Sequence, residues 1–177
     1  MRKLILAGSA LMLFATACNN SETYEAGPNK TLSQKDQSFM VNATYSNIGE
    51  VETGNIARQR AMDAAVTNFG SMMVSDHGKA HNELQDIAQD VSYILPTATD
   101  KEHKDMAAML MNLSGRVFDS TYMYMMVAGH DKAIALFQDE VANGQNPTVK
   151  SYAADKLPTL THHRHMADSI ARTLFPR

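Results

Sequence analysis

The sequence predicts an all-α fold: a four-helix bundle in which two long hairpins are joined by one long crossover carrying a short extra helix. Three observations predict it. Beyond residue 33, apolar residues recur at helical spacing in almost every window, and strand-like alternation is missing. Turn residues near Asp63, at Ser114-Gly115 and in the NGQNP run at 143–147 cut the chain at hairpin-like intervals. At 177 residues, with 44% hydrophobic and 20% charged, the chain is long enough for one domain with a real core.

The first helix is predicted from Gln34 to Ala61, with Phe39, Ala43, Ile48, Val51 and Ile56 on one side. Asp63 caps a second helix over about 64–92, whose stripe is Val66, Phe69, Met73, Ala80, Leu84, Ile87 and Val91, and Pro96 prevents its continuation. Thr99 with Glu102 reads as a capping box opening a short helix to about Leu113, which Ser114-Gly115 ends. A long helix from about Val117 to Ala142 follows. Asn146 as cap and Pro147 at the first helical position then start a last helix to about Leu174, with a kink expected at Pro158. Two long hairpins with one long crossover are the ferritin-like arrangement.

Ahead of this bundle domain, 34–175, lie two other segments. Residues 1–18 read as an export signal: Arg2 and Lys3 form a basic start, and Leu4 to Ala17 an apolar stretch too short to span a bilayer. It ends in ATAC, which resembles the lipobox of bacterial lipoproteins, making Cys18 the lipidated residue and the lipid the chain's membrane anchor. Ala15 stands where Leu or Val is commonest, which leaves ordinary secretory cleavage open. Residues 19–33, polar with a Gly-Pro break, suit a flexible tether. The expected location is the bacterial envelope, on the periplasmic side of the outer membrane.

Cys18 is the only cysteine, so the body has no internal disulfide and no thiolate metal site. Without Arg2 and Lys3, 14 basic residues stand against 19 acidic ones, and no Lys/Arg cluster appears. Nucleic acid is not an expected partner.

Each long helix carries one ligand-type residue on its apolar face, taking about 100° per position. Glu52 lies between Ile48 and Ile56, whereas Glu50, about 200° away, is expected in solvent. His77 sits with Met73, Ala80 and Leu84; His130 between Met126 and Ile134; His163, rather than His162 or His165, with Leu160, Ala167 and Ile170. At 1.5 Å per residue the four lie ~16 to 27 Å from their hairpin turns, near the middle of helices ~40 Å long. Three imidazoles and a carboxylate suit Zn, Fe, Mn or Cu. Asp76 reads as a solvated or supporting group. Asp119 and Tyr122 read as supporting groups that form a separate buried hydrogen bond, Asp119 being ~16 Å from His130 along the helix. His81 completes an H-x-x-x-H pair with His77 but points partly outward. Met123 and Met126 could offer thioethers to copper, although such methionines are more often core filler. Without metal, the same four residues form a hydrogen-bonded network that fixes helix register.

GEVETGNIA at 49–57, MMVSDHGKAHNEL at 72–84, FDSTYMYMMVAGH at 118–130 and LPTLTHHRHMA at 157–167 resemble the bacterial family known as domain of unknown function 4142, described as predicted outer membrane proteins with a ferritin-like fold. The resemblance covers about 36–172. It places the family's recurring acidic, histidine and tyrosine positions on Glu52, Asp76, His77, Asp119, Tyr122, His130 and His163, and implies no established function. His81, His162 and His165 exceed that pattern. The two Glu-x-x-His motifs of a ferritin-type di-iron site are missing. Three functions follow: an envelope lipoprotein holding a metal ion or small ligand and serving in stress tolerance, an oxidoreductase with a mononuclear Fe, Mn or Cu centre, or a structural protein whose cluster only sets register.

Overall fold

The computed structural model describes residues 31–176. The predicted signal and Cys18 lie outside the described residues, as does the tether up to residue 30. Residues 31–33 do not behave as tether: Leu32 packs against the core, and the Thr31 and Leu32 carbonyls accept from Asn146 Nδ2 and Gln37 Nε2.

Among the described residues five helices form: α1 (Gln34–Arg60), α2 (Ala64–Asp90), α3 (Lys101–Met111), α4 (Gly115–Asn143) and α5 (Pro147–Leu174). Ser33 caps α1 in a reciprocal box with Asp36, and Asp63 caps α2 by accepting from Ala65 N–H at 2.7 Å. Asn146 caps α5 through Thr148 and Val149 N–H, with Pro147 at the first helical position. α2 ends within two residues of its predicted limit, ahead of Pro96: Ser92 adopts φ 55° and closes the helix with Ser92 N–H to Gln89 O and Tyr93 N–H to Ala88 O, a Schellman pair. Two predicted boundaries differ. α3 is capped by Asp100, which accepts from His103 N–H, while the Thr99 hydroxyl donates to Tyr45 O and ties the crossover to α1. Ser114-Gly115 opens α4 rather than ending α3; Gly115 takes φ +58° at that turn.

Polar contacts fix the topology. Asp36, at the start of α1, accepts from Gln145 and Asn146 N–H after the end of α4, so these helices run antiparallel. Asp76 faces His163 and Glu83 faces Lys156, making α2 and α5 antiparallel too. Asp119, at the start of α4, accepts from Met62 and Asp63 N–H in the α1–α2 turn at 3.0 and 2.8 Å. The chain therefore runs up, down, back along the outside through α3, down and up: a ferritin-like bundle with one crossover, and α3 lies on α1 and α4. The α1–α2 contact is close enough that a Cβ on Gly70 would meet Gly54 O and the Ala57 side chain at 2.8 Å. α5 is continuous through Pro158, which has no N–H for the Ala154 carbonyl.

The apolar core is divided in two. One half gathers Phe69, Met73, Phe118, Tyr122, Met126 and Ala167, the other Phe39, Met40, Leu84, Phe137, Tyr152 and Leu160. Between them sits a polar layer contributed by all four long helices.

Candidate metal centre

The layer holds Asn47 and Glu50 from α1, Asp76 and His77 from α2, His130 from α4 and His163 from α5. The three imidazoles form a nearly equilateral triangle, with ring centroids 5.6, 5.4 and 5.4 Å apart. All three residues are buried, and each can present one ring nitrogen so that the three atoms lie within 4.8 Å of one another.

The protonation of each ring follows from its partner. Tyr152 gives its single hydroxyl proton to Ala80 O at 3.0 Å, so it can only accept from Asn47, whose amide nitrogen faces it at 3.3 Å. Asn47 Oδ1 is thereby turned to His77, and His77 Nδ1–H donates to it at 3.0 Å. His130 Nδ1–H donates to the Met126 carbonyl at 2.8 Å, an acceptor with nothing to give back. His163 Nε2–H donates to Asp76 Oδ2 at 3.2 Å. In each ring one nitrogen is thus committed as a donor and the other carries a lone pair. The uncommitted atoms, His77 Nε2, His130 Nε2 and His163 Nδ1, are buried and have no hydrogen-bond partner.

Protonation does not readily fill this gap. Burial holds His77 well below the usual histidine range, and the neighbouring His130 and His163 add to the effect. Burial likewise lowers His130, against the opposing pull of Glu50 and the Met126 carbonyl, and His163, against Asp76. Three neutral imidazoles, each oriented by a hydrogen bond at its far nitrogen, form the arrangement found around protein-bound metals. Bonds of ~2.1 Å at tetrahedral angles set such nitrogens ~3.4 Å apart, so capture of an ion would draw the rings in by roughly 1 Å.

Of the predicted donors, the structure brings His77, His130 and His163 together and excludes Glu52. Glu52 is exposed, and the acid at this level is Glu50, only 7% exposed. The predicted face of α1 holds at Phe39 and Ala43 but fails beyond them: the buried stripe runs through Asp36, Phe39, Met40, Ala43, Thr44, Asn47, Glu50, Thr53, Gly54 and Ala57, while Ile48, Val51 and Ile56 are only half buried on the flank. Asn47, Gly54 and Ala57 face α2, meeting His77 and Gly70 where the two backbones run close. Glu50 Oε1 lies 3.9 Å from His130 Nδ1, behind the ring rather than on its lone-pair side. Burial raises the Glu50 carboxyl above its ordinary range, with His130 opposing.

Asp76 is the acceptor for His163, with its side chain 34% exposed. Asp119 and Tyr122 do not share a hydrogen bond: Asp119 serves the α1–α2 turn, and the buried Tyr122 hydroxyl has no partner. Tyr122 stacks on Phe118 and meets Phe69 edge-on; burial, then Glu50, pushes its hydroxyl well above the usual range. His81 is half buried and outside the trio; His162 and His165 are exposed. Asn47 escaped the sequence reading because asparagine is an ordinary turn or surface residue, and only the corrected phase of α1 brings it inward.

A cavity of about 210 Å3 between α2 and α5 reaches the centre, with Asn47, Asp76, His77, Leu160 and His163 among its walls. No helix among the described residues is long and apolar enough to cross a membrane.

The model of the family described as Domain of unknown function (DUF4142) matches residues 21–170. The chain belongs to that family. A search of curated proteins finds no match. Among solved structures, the chain is similar to a DUF305 fragment from Deinococcus radiodurans, with a TM-score of 0.71 and 11% sequence identity over 80% of this chain and 98% of that one. At that identity the likeness speaks for the shared helical fold alone. The DUF4142 assignment names a family, and the chemistry of this member rests on its polar layer.

Proposed function

We propose that this DUF4142 protein binds one divalent transition-metal ion through His77 Nε2, His130 Nε2 and His163 Nδ1, as a lipoprotein anchored by Cys18 with its bundle in the periplasm. The observation that carries the reading is a trio of buried imidazoles that bring one ring nitrogen each within 4.8 Å of one another, every ring having one nitrogen held by an acceptor and the other without a partner. Buried acceptors left without a donor cost free energy, and an ion removes that cost. Nitrogen donors with no thiolate suit Zn, Cu or Fe, with Mn a weaker match, and three ligands leave a coordination position open. Holding such an ion in the envelope would serve stress tolerance by limiting free metal. The test is metal analysis of natively purified protein, followed by titration of the stripped protein: one ion per chain supports the reading, and none at micromolar metal refutes it.

A second reading, a mononuclear oxidoreductase, is favoured by the cavity between α2 and α5, which gives solvent and small molecules a path to the open position. Azide added to the Cu- or Fe-loaded protein discriminates: a change in the metal's absorption shows an exchangeable site, and an unchanged spectrum supports holding alone.

A further inference from the structure

Glu50 is not consumed by the histidine centre. Its Oε1 stands 3.9 Å from His130 Nδ1, whose proton goes to Met126 O, and its Oε2 is buried with no partner. The same carboxyl lines a second cavity, of about 330 Å3, on the opposite side of the bundle between α1 and α4 and beneath α3. Its other walls are soft and largely apolar, with Tyr45, Met106, Met125 and Leu136 among them. The cations of the lining are already engaged: Lys132 Nζ donates to Glu102 Oε1 at 2.8 Å, and His103 Nδ1 lies 2.6 Å from Asp100 Oδ1. The roof is built in place, since a Cβ on Gly49 would come within 2.4 Å of the His103 ring; α3 is seated on bare α1 backbone.

We propose that this cavity binds a small organic ammonium ion, with the charged head on Glu50 and the hydrocarbon part against the methionines and Tyr45. The chemistry selects this class. An anion would meet a buried carboxyl and an acidic rim at Asp100 and Glu102. A hard divalent cation needs several oxygen ligands, whereas one carboxyl among thioethers offers too few. An alkylammonium ion needs one strong acceptor and an apolar sleeve, and polarizable methionine sulfur together with an aromatic face suits the carbons next to the charge. The volume is that of a small-molecule site.

Calorimetric titration of the full chain with n-butylamine, 1-butanol and butyrate tests the proposal. The amine should bind roughly tenfold or more tightly than the alcohol or the acid, and Glu50→Gln should lose that preference, because a charge-assisted hydrogen bond is replaced by a neutral one. Ser46→Trp, which plugs the cavity from its wall, should abolish binding and covers the case in which the Glu50 variant fails to fold. His77→Phe, which disables the histidine centre, should leave amine binding intact, so the two sites fail separately. Equal binding of amine and alcohol, full amine affinity in either cavity variant, loss of amine binding in His77→Phe, or no binding of any n-alkylamine from butyl to hexyl would overturn the proposal.

Discussion

Replacing His77 by phenylalanine separates a metal centre from a network that only sets helix register. The substitution keeps an aromatic ring in the buried space, removes the orphaned Nε2, and breaks the 3.0 Å bond from Nδ1 to Asn47 Oδ1. An unpaired buried acceptor costs about 1–3 kcal/mol; one disappears with Nε2, and one is created at Asn47, so metal-free stability should change by roughly 1 kcal/mol or less. The metal response differs sharply. At free metal a hundredfold above Kd the wild type gains about 2.7 kcal/mol. For a domain of this size each kcal/mol moves Tm by about 2–4 °C, which gives a rise of about 5–10 °C. The variant should show no such rise. Thermal unfolding of both proteins, stripped and metal-loaded, reads all four values. A loss of about 3–5 kcal/mol in the stripped variant, as when one member of a buried polar network is removed, with no metal response in the wild type, would refute the reasoning and leave the cluster as a register device.

Three further outcomes are expected. Asp76→Asn weakens the hydrogen bond that orients His163; metal affinity measured by chelator competition should fall about tenfold or more, while the stripped protein's stability hardly moves, the carboxylate being partly exposed. Glu140 is buried beside Asp36 at the opposite end of the bundle: burial, then Asp36, raises it to about 7, while Asp36 is held at about 2 because hydrogen bonds from Ser33, Asn146 and Gln145 outweigh the effect of its own burial. A group raised above its unfolded value contributes stability at low pH that is lost as pH climbs through about 7, so Glu140→Gln should be stabilising by about 1–2 kcal/mol at pH 8 and close to neutral at pH 5 in denaturant melts. Gly70→Ala forces a methyl group against Gly54 O and the Ala57 side chain at 2.8 Å and should destabilise by about 1–3 kcal/mol, with α1 and α2 separating first in hydrogen exchange.

The helices carrying the three histidines were legible because their inward faces are marked by large side chains. Met73 and Leu84 bracket His77, Met126 brackets His130, and Leu160 with Ala167 brackets His163, so the 3.6-residue period gave the right phase in each case. α1 was misread because its inward face is small and polar: Thr44, Asn47, Glu50, Thr53 and Gly54 are buried, and the bulkier Ile48, Val51 and Ile56 lie to the side. Glu50 and Glu52 are about 200° apart on the helix, so an error of phase exchanged one for the other. Asn146 with Pro147 and Asp63 were correctly placed as caps because those types favour helix starts. Asp100 was passed over for its neighbour Thr99, which instead bonds to α1, a long-range contact that no local pattern encodes. The Gly54–Gly70 contact was invisible for the same reason.

The central claim, that His77, His130 and His163 hold one metal ion, is tested most directly by equilibrium dialysis of the stripped full chain against Zn(II) and Cu(II), with metal and protein quantified together. The account predicts one ion per chain for the wild type and none retained at the same free metal by His77→Phe or His163→Phe. Equal retention by wild type and variants, or no retention by either, would contradict it.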